Sequence, residues 1–574
     1  MSLGVHIDRV GALIEDKQWD LARVMSQSSL RLYPDEPQLL RMSLLASYHL
    51  GDMSEALESS RQLITLSNEP RDLYNFGTLA LEQSRPMEAK AALERVLDLQ
   101  PEHLSARANL VAACNELGDL DRALSLAADV DLSQHPATTV ANFVCNLATS
   151  YRDAGQPEQA MGFYAHAMAL SDGWHPVAAS NRLYAANFDP NLSAYEIETL
   201  HTEWGAFIEK RVGARRIAAG TSKSAGTLPR IGFLSGDLRR HSVAYFLEPV
   251  WEALQGHAEL VAVGNSPKED EVTKRLRVLA SDWVSIRALS DDAAAALIQE
   301  ANLDVLIDLS GHTAHNRLPL MARGLAPVQM SYLGYPNTTG LMRVDGRLVD
   351  DFCDPADTPW RGSESLLRAG QGFLAYRGPE CEVTRERRGE SLVFGSFNTP
   401  AKVNTTILKV WAEALKAHPE AKLLLKNKAY RSTTVQERVR QTLSAAGVSP
   451  DRVEFRPATP SLQAHLETYN EVDVALDTYP YQGTTTTCEA LFMGVPVVSL
   501  CGDRHASRVA HTLAHQAGKE WVRCVSDTAA FVQQVTEIVE SSSGSTRVAR
   551  LGSDEGMIAS RAASIARALL TSFT

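Results

Sequence analysis

Small apolar positions return with a fixed period at the start of the chain. Alanines in similar contexts stand at Ala22 ("WDLA"), Ala56 ("MSEAL"), Ala89 ("MEAKAAL"), Ala123 ("LDRAL") and Ala160 ("PEQAM"), spaced by 34, 33, 34 and 37 residues. Gly51, Gly118 and Gly155 lie five residues before three of them, where the turn between two helices belongs. Pro34 and Pro101 lie twelve residues after theirs, where a second helix ends. This punctuation predicts paired helices stacked into an all-α solenoid over residues 1–185. Residues 190–216 keep a helical pattern, and "ARRIAAGTSKSAGTLP" reads as a polar linker, so 186–228 is a connector.

Beyond it the pattern changes to short apolar runs bounded by turn residues: "RIGFLSGD", "LVAVGNS", "LDVLIDLSGH", "VQMSYLGYP" and "GRLVDD". From about residue 391 it begins again with "SLVFGSFN", "AKLLLKN", "RVEFRPA", "VDVALDTYP" and "PVVSLCGD", with amphipathic stretches between. Alternation of this kind predicts two parallel sheets covered on both faces, over 229–385 and over 386–574 with C-terminal helices. Ligands of such domains sit at the carboxyl ends of the strands.

The period near 34 residues is that of tetratricopeptide repeats, and "LQPEHLSARANLVAACNELGDLDRALSLA" is close to that repeat's consensus over a whole unit. Asn75, Asn109 and Asn146 each fall fourteen residues before their repeat's alanine, which aligns them on the inner face of the solenoid. Amides there can grip the backbone of an extended peptide, although asparagine is also common at this position of the repeat.

Composition narrows the classes. The 574 residues, 44% hydrophobic and 22% charged, can bury several cores. A formal charge of −13 argues against a protein that coats nucleic acid. No apolar run approaches the ~18 residues that span a bilayer, and no signal peptide is read at the start. The seven cysteines (Cys114, Cys145, Cys353, Cys381, Cys488, Cys501, Cys524) are scattered, without C-x-x-C or a His cluster at zinc spacing, as in a reducing cytoplasm.

In "YPYQGTTTTCEALFMGVPVVSL" a strand and turn precede four threonines, then a helix that ends near Gly494. Threonine is poor inside a helix but favoured at its N-cap, where its oxygen accepts a free N–H. Added hydroxyls and the positive end of the helix make an anion site, and Glu489, a turn further in, is placed to accept ribose hydroxyls. The D-x-D pairs that commonly hold a metal against a diphosphate occur only at Asp119/Asp121 and Asp129/Asp131, within the repeats. Asp237 and Asp308, at strand ends, are further candidate bases.

That segment, with "FGSFNTPAKVN", "IDLSGHTAHNRL", "APVQMSYLGYPNTTGL", "SGDLRRHSVAYFLEP" and "GDRHASRVA", resembles the catalytic region of the O-GlcNAc transferase family, its SPINDLY branch most closely. The family also places tetratricopeptide repeats before a two-domain catalytic region, so the likeness covers nearly the whole chain. It implies a GT-B fold of two Rossmann-like domains, and inverting transfer of a sugar from a nucleotide donor to Ser or Thr of proteins. Neither metal nor cofactor is expected. Lys402 matches the lysine set against the donor diphosphate, which balances the charge of the leaving group. His241 matches a histidine discussed as base or positioning group. Thr484, Thr485, Thr486 and Glu489 match the diphosphate and ribose segment. His465 matches, after a one-residue shift, a histidine that packs on the base. His312, Gly334, Tyr335 and Pro336 match residues on the acceptor and sugar side.

Two departures bear on the donor. The O-GlcNAc branch has histidine where Thr484 stands and aspartate where Glu489 stands, whereas plant SPINDLY proteins, which share the threonine run, use GDP-fucose. UDP-GlcNAc is the first expectation; GDP-fucose, UDP-glucose or a CMP-nonulosonic acid are alternatives, the last two on flagellin. Expected partners are protein acceptors along the repeats and a second copy of the chain through them. An inactive nucleotide-sugar-binding scaffold is the alternative of another class.

Overall fold

The computed structural model describes residues 2–128, 130–213, 228–266, 268–287, 289–541 and 548–572, so most of the linker read over 214–229 and part of the serine-rich stretch 541–554 lie outside the described residues. The chain divides into two compact units, residues 1–150 with 166–173 and residues 151–165 with 174–574, the division falling inside the last predicted repeat.

In the first unit, helices pair as Leu3–Glu15 with Trp19–Leu30, Pro37–His49 with Met53–Leu66, Pro70–Glu82 with Pro86–Leu99 and Leu104–Leu117 with Leu120–Ser125. Ala22, Ala56, Ala89 and Ala123, one in the second helix of each pair, are fully buried. Gly51 and Gly118 take the left-handed φ of 76° and 73° that the turn requires. The two repeats without glycine put Lys17 and Ser84 at the same position, with φ of 56° and 54°. Proline fits at the first turn of three of these helices because the N–H it lacks has no intrahelical partner there.

The second unit holds two sheets. The first contains β1 (Arg230–Ser235), β2 (Glu259–Gly264), β3 (Asp282–Ser285), β4 (Val305–Asp308), β5 (Val328–Ser331), β6 (Gly346–Val349) and β7 (Ser365–Arg368), in the order β3-β2-β1-β4-β5-β6-β7. The second contains β8 (Val393–Ser396), β9 (Lys422–Lys426), β10 (Val453–Arg456), β11 (Val474–Leu476), β12 (Val497–Leu500) and β13 (Val522–Val525), in the order β10-β9-β8-β11-β12-β13. Every pairing is parallel. Both orders reverse beside the first strand, the doubly wound arrangement with its ligand crevice at that point.

The connector docks on the first α/β domain, and two further elements link that domain to the second. Helix Ala194–Val212 of the connector seats Gly205 against the Gly340 carbonyl and Gly340 against the His201 carbonyl, where a Cβ on either glycine would collide with backbone. The last helix, Glu555–Thr571, returns to pack on helix Ser242–Leu254 of the first α/β domain. The segment "GDRHASRVA" joins the two halves: His505 Nδ1 meets Asp354 at 2.6 Å, Arg508 donates to Thr358 at 2.6 Å and Arg504 donates to the Asp189 carbonyl at 3.1 Å. Among the described residues, no helix is long and apolar enough to cross a membrane.

Candidate active site

The carboxyl ends of β8, β9 and β11 bring together residues far apart in the chain. After β8, a turn of 3-10 helix, Pro400–Lys402, carries Lys402, whose ammonium donates to the Gln482 carbonyl at 2.9 Å and lies 4.1 Å from the centre of the Tyr481 ring. Burial lowers its pKa to about 8, against the raising pull of Asp477. Asp477 follows β11 and organises the turn: it accepts from Gly483 N at 2.7 Å, Thr478 N at 2.8 Å and Ser499 Oγ at 2.6 Å. Burial raises that carboxyl to about 6 in spite of these donors and of Lys402.

Helix Thr485–Phe492 starts above this turn. The threonines do not act as the sequence suggested, because Thr484 is the N-cap residue yet makes no side-chain capping bond. The Thr486 hydroxyl donates to Asn398 Oδ1 at 3.0 Å and the Thr487 hydroxyl to the Gly483 carbonyl at 3.0 Å. The first amides of the helix therefore keep their N–H groups uncapped, with Thr484, Thr485 and Thr486 partly exposed around them. That is a donor array for an anion. Gly483 is required where it stands, since a Cβ there would lie against the Thr486 hydroxyl.

Glu489, one turn on, is held by His465 Nε2 at 3.0 Å and the Tyr469 hydroxyl at 3.4 Å. The other His465 nitrogen meets the ammonium of Lys426, at the end of β9, at 2.5 Å. Burial brings Lys426 to about 8, opposed by Glu489. A carboxylate, an imidazole and a buried lysine thus line the wall beside the threonines. Lys426, Asp477, Asn398 and Gln482 were not singled out in the sequence; a polar residue closing each parallel strand was the signal for the first two.

The other α/β domain presents His241, which caps helix Ser242–Leu254 by accepting from Val243 N at Nδ1, 3.3 Å. With Nδ1 as acceptor the neutral ring carries its proton on Nε2, which makes that nitrogen a donor. Burial lowers the pKa of this histidine, opposed by Asp237 3.6 Å away. Tyr245, a turn further along, has its hydroxyl pKa raised by burial first and by Glu489 second.

The remaining candidates have structural positions. His312 is fully buried with both nitrogens engaged, by Ser180 at 3.1 Å and the Thr339 carbonyl at 2.9 Å, and burial holds it neutral. The Tyr335 hydroxyl meets His201 at 2.7 Å and Asn187 at 2.8 Å, bracing the connector, while Pro336 beside it is half-buried. Asp308 is also buried and accepts from Gly311 N at 2.7 Å. In the repeats, Asn109 donates to Thr78 at 3.0 Å and Asn146 to the Ala108 carbonyl at 2.9 Å, each reaching the equivalent helix of the preceding repeat; Asn75 is half-buried on the same register. Asp119 caps a helix and pairs with Lys90 at 2.6 Å, and Asp129 lies outside the described residues.

Two doubly wound domains, the second with an uncapped helix start and a desolvated lysine at the carboxyl ends of its strands, define the two-Rossmann fold class. The chain belongs to glycosyl transferase family 41, whose profile matches residues 177–375 and 384–529; a tetratricopeptide repeat profile matches 80–144. A probable UDP-N-acetylglucosamine–peptide N-acetylglucosaminyltransferase SPINDLY from Oryza sativa subsp. japonica is 35% identical over 380 residues, 63% of this chain and 41% of the rice protein. The Arabidopsis thaliana protein named SEC, with the same named activity, is 27% identical over 353 residues, 59% of this chain and 34% of its own length. The chain thus spans about two-fifths of the rice relative. A solved mutant O-GlcNAc transferase from Thermobaculum terrenum is similar over 88% of this chain and 93% of that one, at 29% identity and a TM-score of 0.75.

Proposed function

We propose that this chain is a protein O-glycosyltransferase that moves a sugar from a nucleoside diphosphate donor to a Ser or Thr hydroxyl, with inversion and without a metal. The observation that carries this is Lys402, anchored on the Gln482 carbonyl two residues before the uncapped start of helix Thr485–Phe492, a cation beside free N–H donors suited to a diphosphate. The acceptor oxygen attacks the anomeric carbon as the bond from that carbon to the diphosphate oxygen breaks. The charge appearing on the leaving diphosphate falls on Lys402 and the helix N–H groups. His241, as an Nε2–H donor, orients oxygen at the reacting centre, and the hydroxyl proton passes to a diphosphate oxygen. Glu489, held by His465, accepts the ribose hydroxyls. We assign acceptor selection to the repeats, and a cytoplasmic setting accords with seven free thiols.

The activity named for the relatives makes UDP-GlcNAc the first donor to test. Greater likeness to SPINDLY proteins than to SEC, together with Thr484 in the threonine run, favours a GDP-sugar as the second. Thermal-shift titration with UDP, GDP, CMP and their sugars discriminates, because a ligand that binds only the folded state raises its stability. Stabilisation by a nucleotide, followed by transfer to a peptide pool in EDTA, supports the reading. Stabilisation by none, or transfer that EDTA abolishes, contradicts it.

A further inference from the structure

Three side chains from one stretch of the chain, residues 501–524, converge at the second sheet. Cys501 directly follows β12 and its N–H donates to the Val525 carbonyl at 2.7 Å, Cys524 lies on β13 opposite Ser499, and His511 is in helix Val509–Ala517. One donor atom from each lies within 4.8 Å of the others, and all three residues are partly exposed. We propose that Cys501, His511 and Cys524 form a binding site for one thiophilic divalent cation of the zinc class.

Tetrahedral zinc, with bonds of about 2.3 Å to sulfur and about 2.0 Å to nitrogen, sets its donors roughly 3.5–3.8 Å apart. The remaining gap of about 1 Å is within reach of side-chain torsions. Two thiolates neutralise the dication, the imidazole is a neutral ligand, and partial exposure leaves the fourth position to water. An outer shell is in place. The Gln482 amide nitrogen lies 3.4 Å from Cys501 Sγ, and its amide oxygen accepts from Ala510 N at 2.8 Å, on the helix that carries His511. The other cluster of this kind among the described residues, Cys353, Asp354 and His505, is buried, so it offers no such opening. A cation on Cys501, His511 and Cys524 would pin both strands to the helix behind Gln482, whose carbonyl anchors Lys402.

Titration of the reduced full-length chain with Co²⁺ should give a thiolate-to-cobalt charge-transfer band saturating near one equivalent and displaced by Zn²⁺. Cys501→Ser and Cys524→Ser should each remove it, His511→Gln should weaken binding by at least about tenfold, and Cys381→Ser should leave it unchanged. No band in the wild type, or a band that survives Cys501→Ser combined with Cys524→Ser, would overturn the site. If the serine variants fail to fold, maleimide labelling of the wild type read by mass spectrometry decides. Zn²⁺ must protect Cys501 and Cys524, and labelling unaffected by Zn²⁺ refutes the proposal.

Discussion

Replacing Lys402 with Gln should separate stability from activity. The ammonium is held near pKa 8 by burial, below the ordinary ~10.4, so its charged form is strained in the folded state. That fall is worth roughly 3 kcal/mol as an upper figure, and partial exposure with solvent screening reduces it. Loss of the bond to the Gln482 carbonyl offsets about 1 kcal/mol more. Lys402→Gln should therefore be about 1 kcal/mol more stable than wild type at pH 7. Because the folded pKa is depressed, the unfolded chain binds more protons between pH 8 and about 10.4. Wild type gains stability across that window, and the gap to the variant narrows. Transfer behaves oppositely: a cation at contact with a departing diphosphate supplies roughly 3–4 kcal/mol, so kcat should fall about 10²- to 10³-fold. In the wild type, kcat/KM should decline as pH rises through about 8. Urea denaturation at pH 7 and 10 and initial transfer rates from pH 6 to 9 measure both halves. A variant that is clearly destabilised at pH 7, or that keeps wild-type kcat, refutes the reasoning.

Other substitutions test neighbouring assignments. Ser84→Gly relieves a left-handed residue, a strain of roughly 1–2 kcal/mol less about 0.5–1 for glycine's extra freedom, so the urea midpoint should rise by about 0.5–1 kcal/mol in stability terms. Glu489→Gln should raise the donor KM about tenfold with little change in kcat, since it removes a ground-state contact; an unchanged KM removes the ribose role. Tyr335→Phe leaves His201 and Asn187 without their shared partner and should lower stability by about 1–3 kcal/mol. Its activity per folded molecule should hold, and a selective rise in acceptor KM would instead return Tyr335 to the acceptor side.

The repeats were legible because their spacing rule is local: one alanine and one turn residue per unit suffice, and Lys17 and Ser84 show the same turn kept without glycine. Ten strands were readable as apolar runs. The three that were not, β3, β7 and β13, all lie at sheet edges, where a half-exposed strand of four residues leaves no continuous apolar signature. Within the site, Lys402, His241 and the threonine segment were visible through motif resemblance. What a motif cannot express is direction. His312 and Tyr335 sit in resembling segments, yet they point into the core to hold the connector, and only tertiary packing decides that. Lys426 and the Cys501–His511–Cys524 cluster arise from strand adjacency, which has no sequence spacing to find.

The return of helix Glu555–Thr571 to helix Ser242–Leu254 sets an order of assembly. About 300 residues separate the two, so at ribosomal speeds of about 5–20 residues per second the first α/β domain waits roughly 15 to 60 s for its last piece. During that interval the face of helix Ser242–Leu254 that meets helix Glu555–Thr571 lacks its cover. Nascent chains stalled before residue 555 should thus engage chaperones, and deletions that remove helix Glu555–Thr571 should be poorly tolerated.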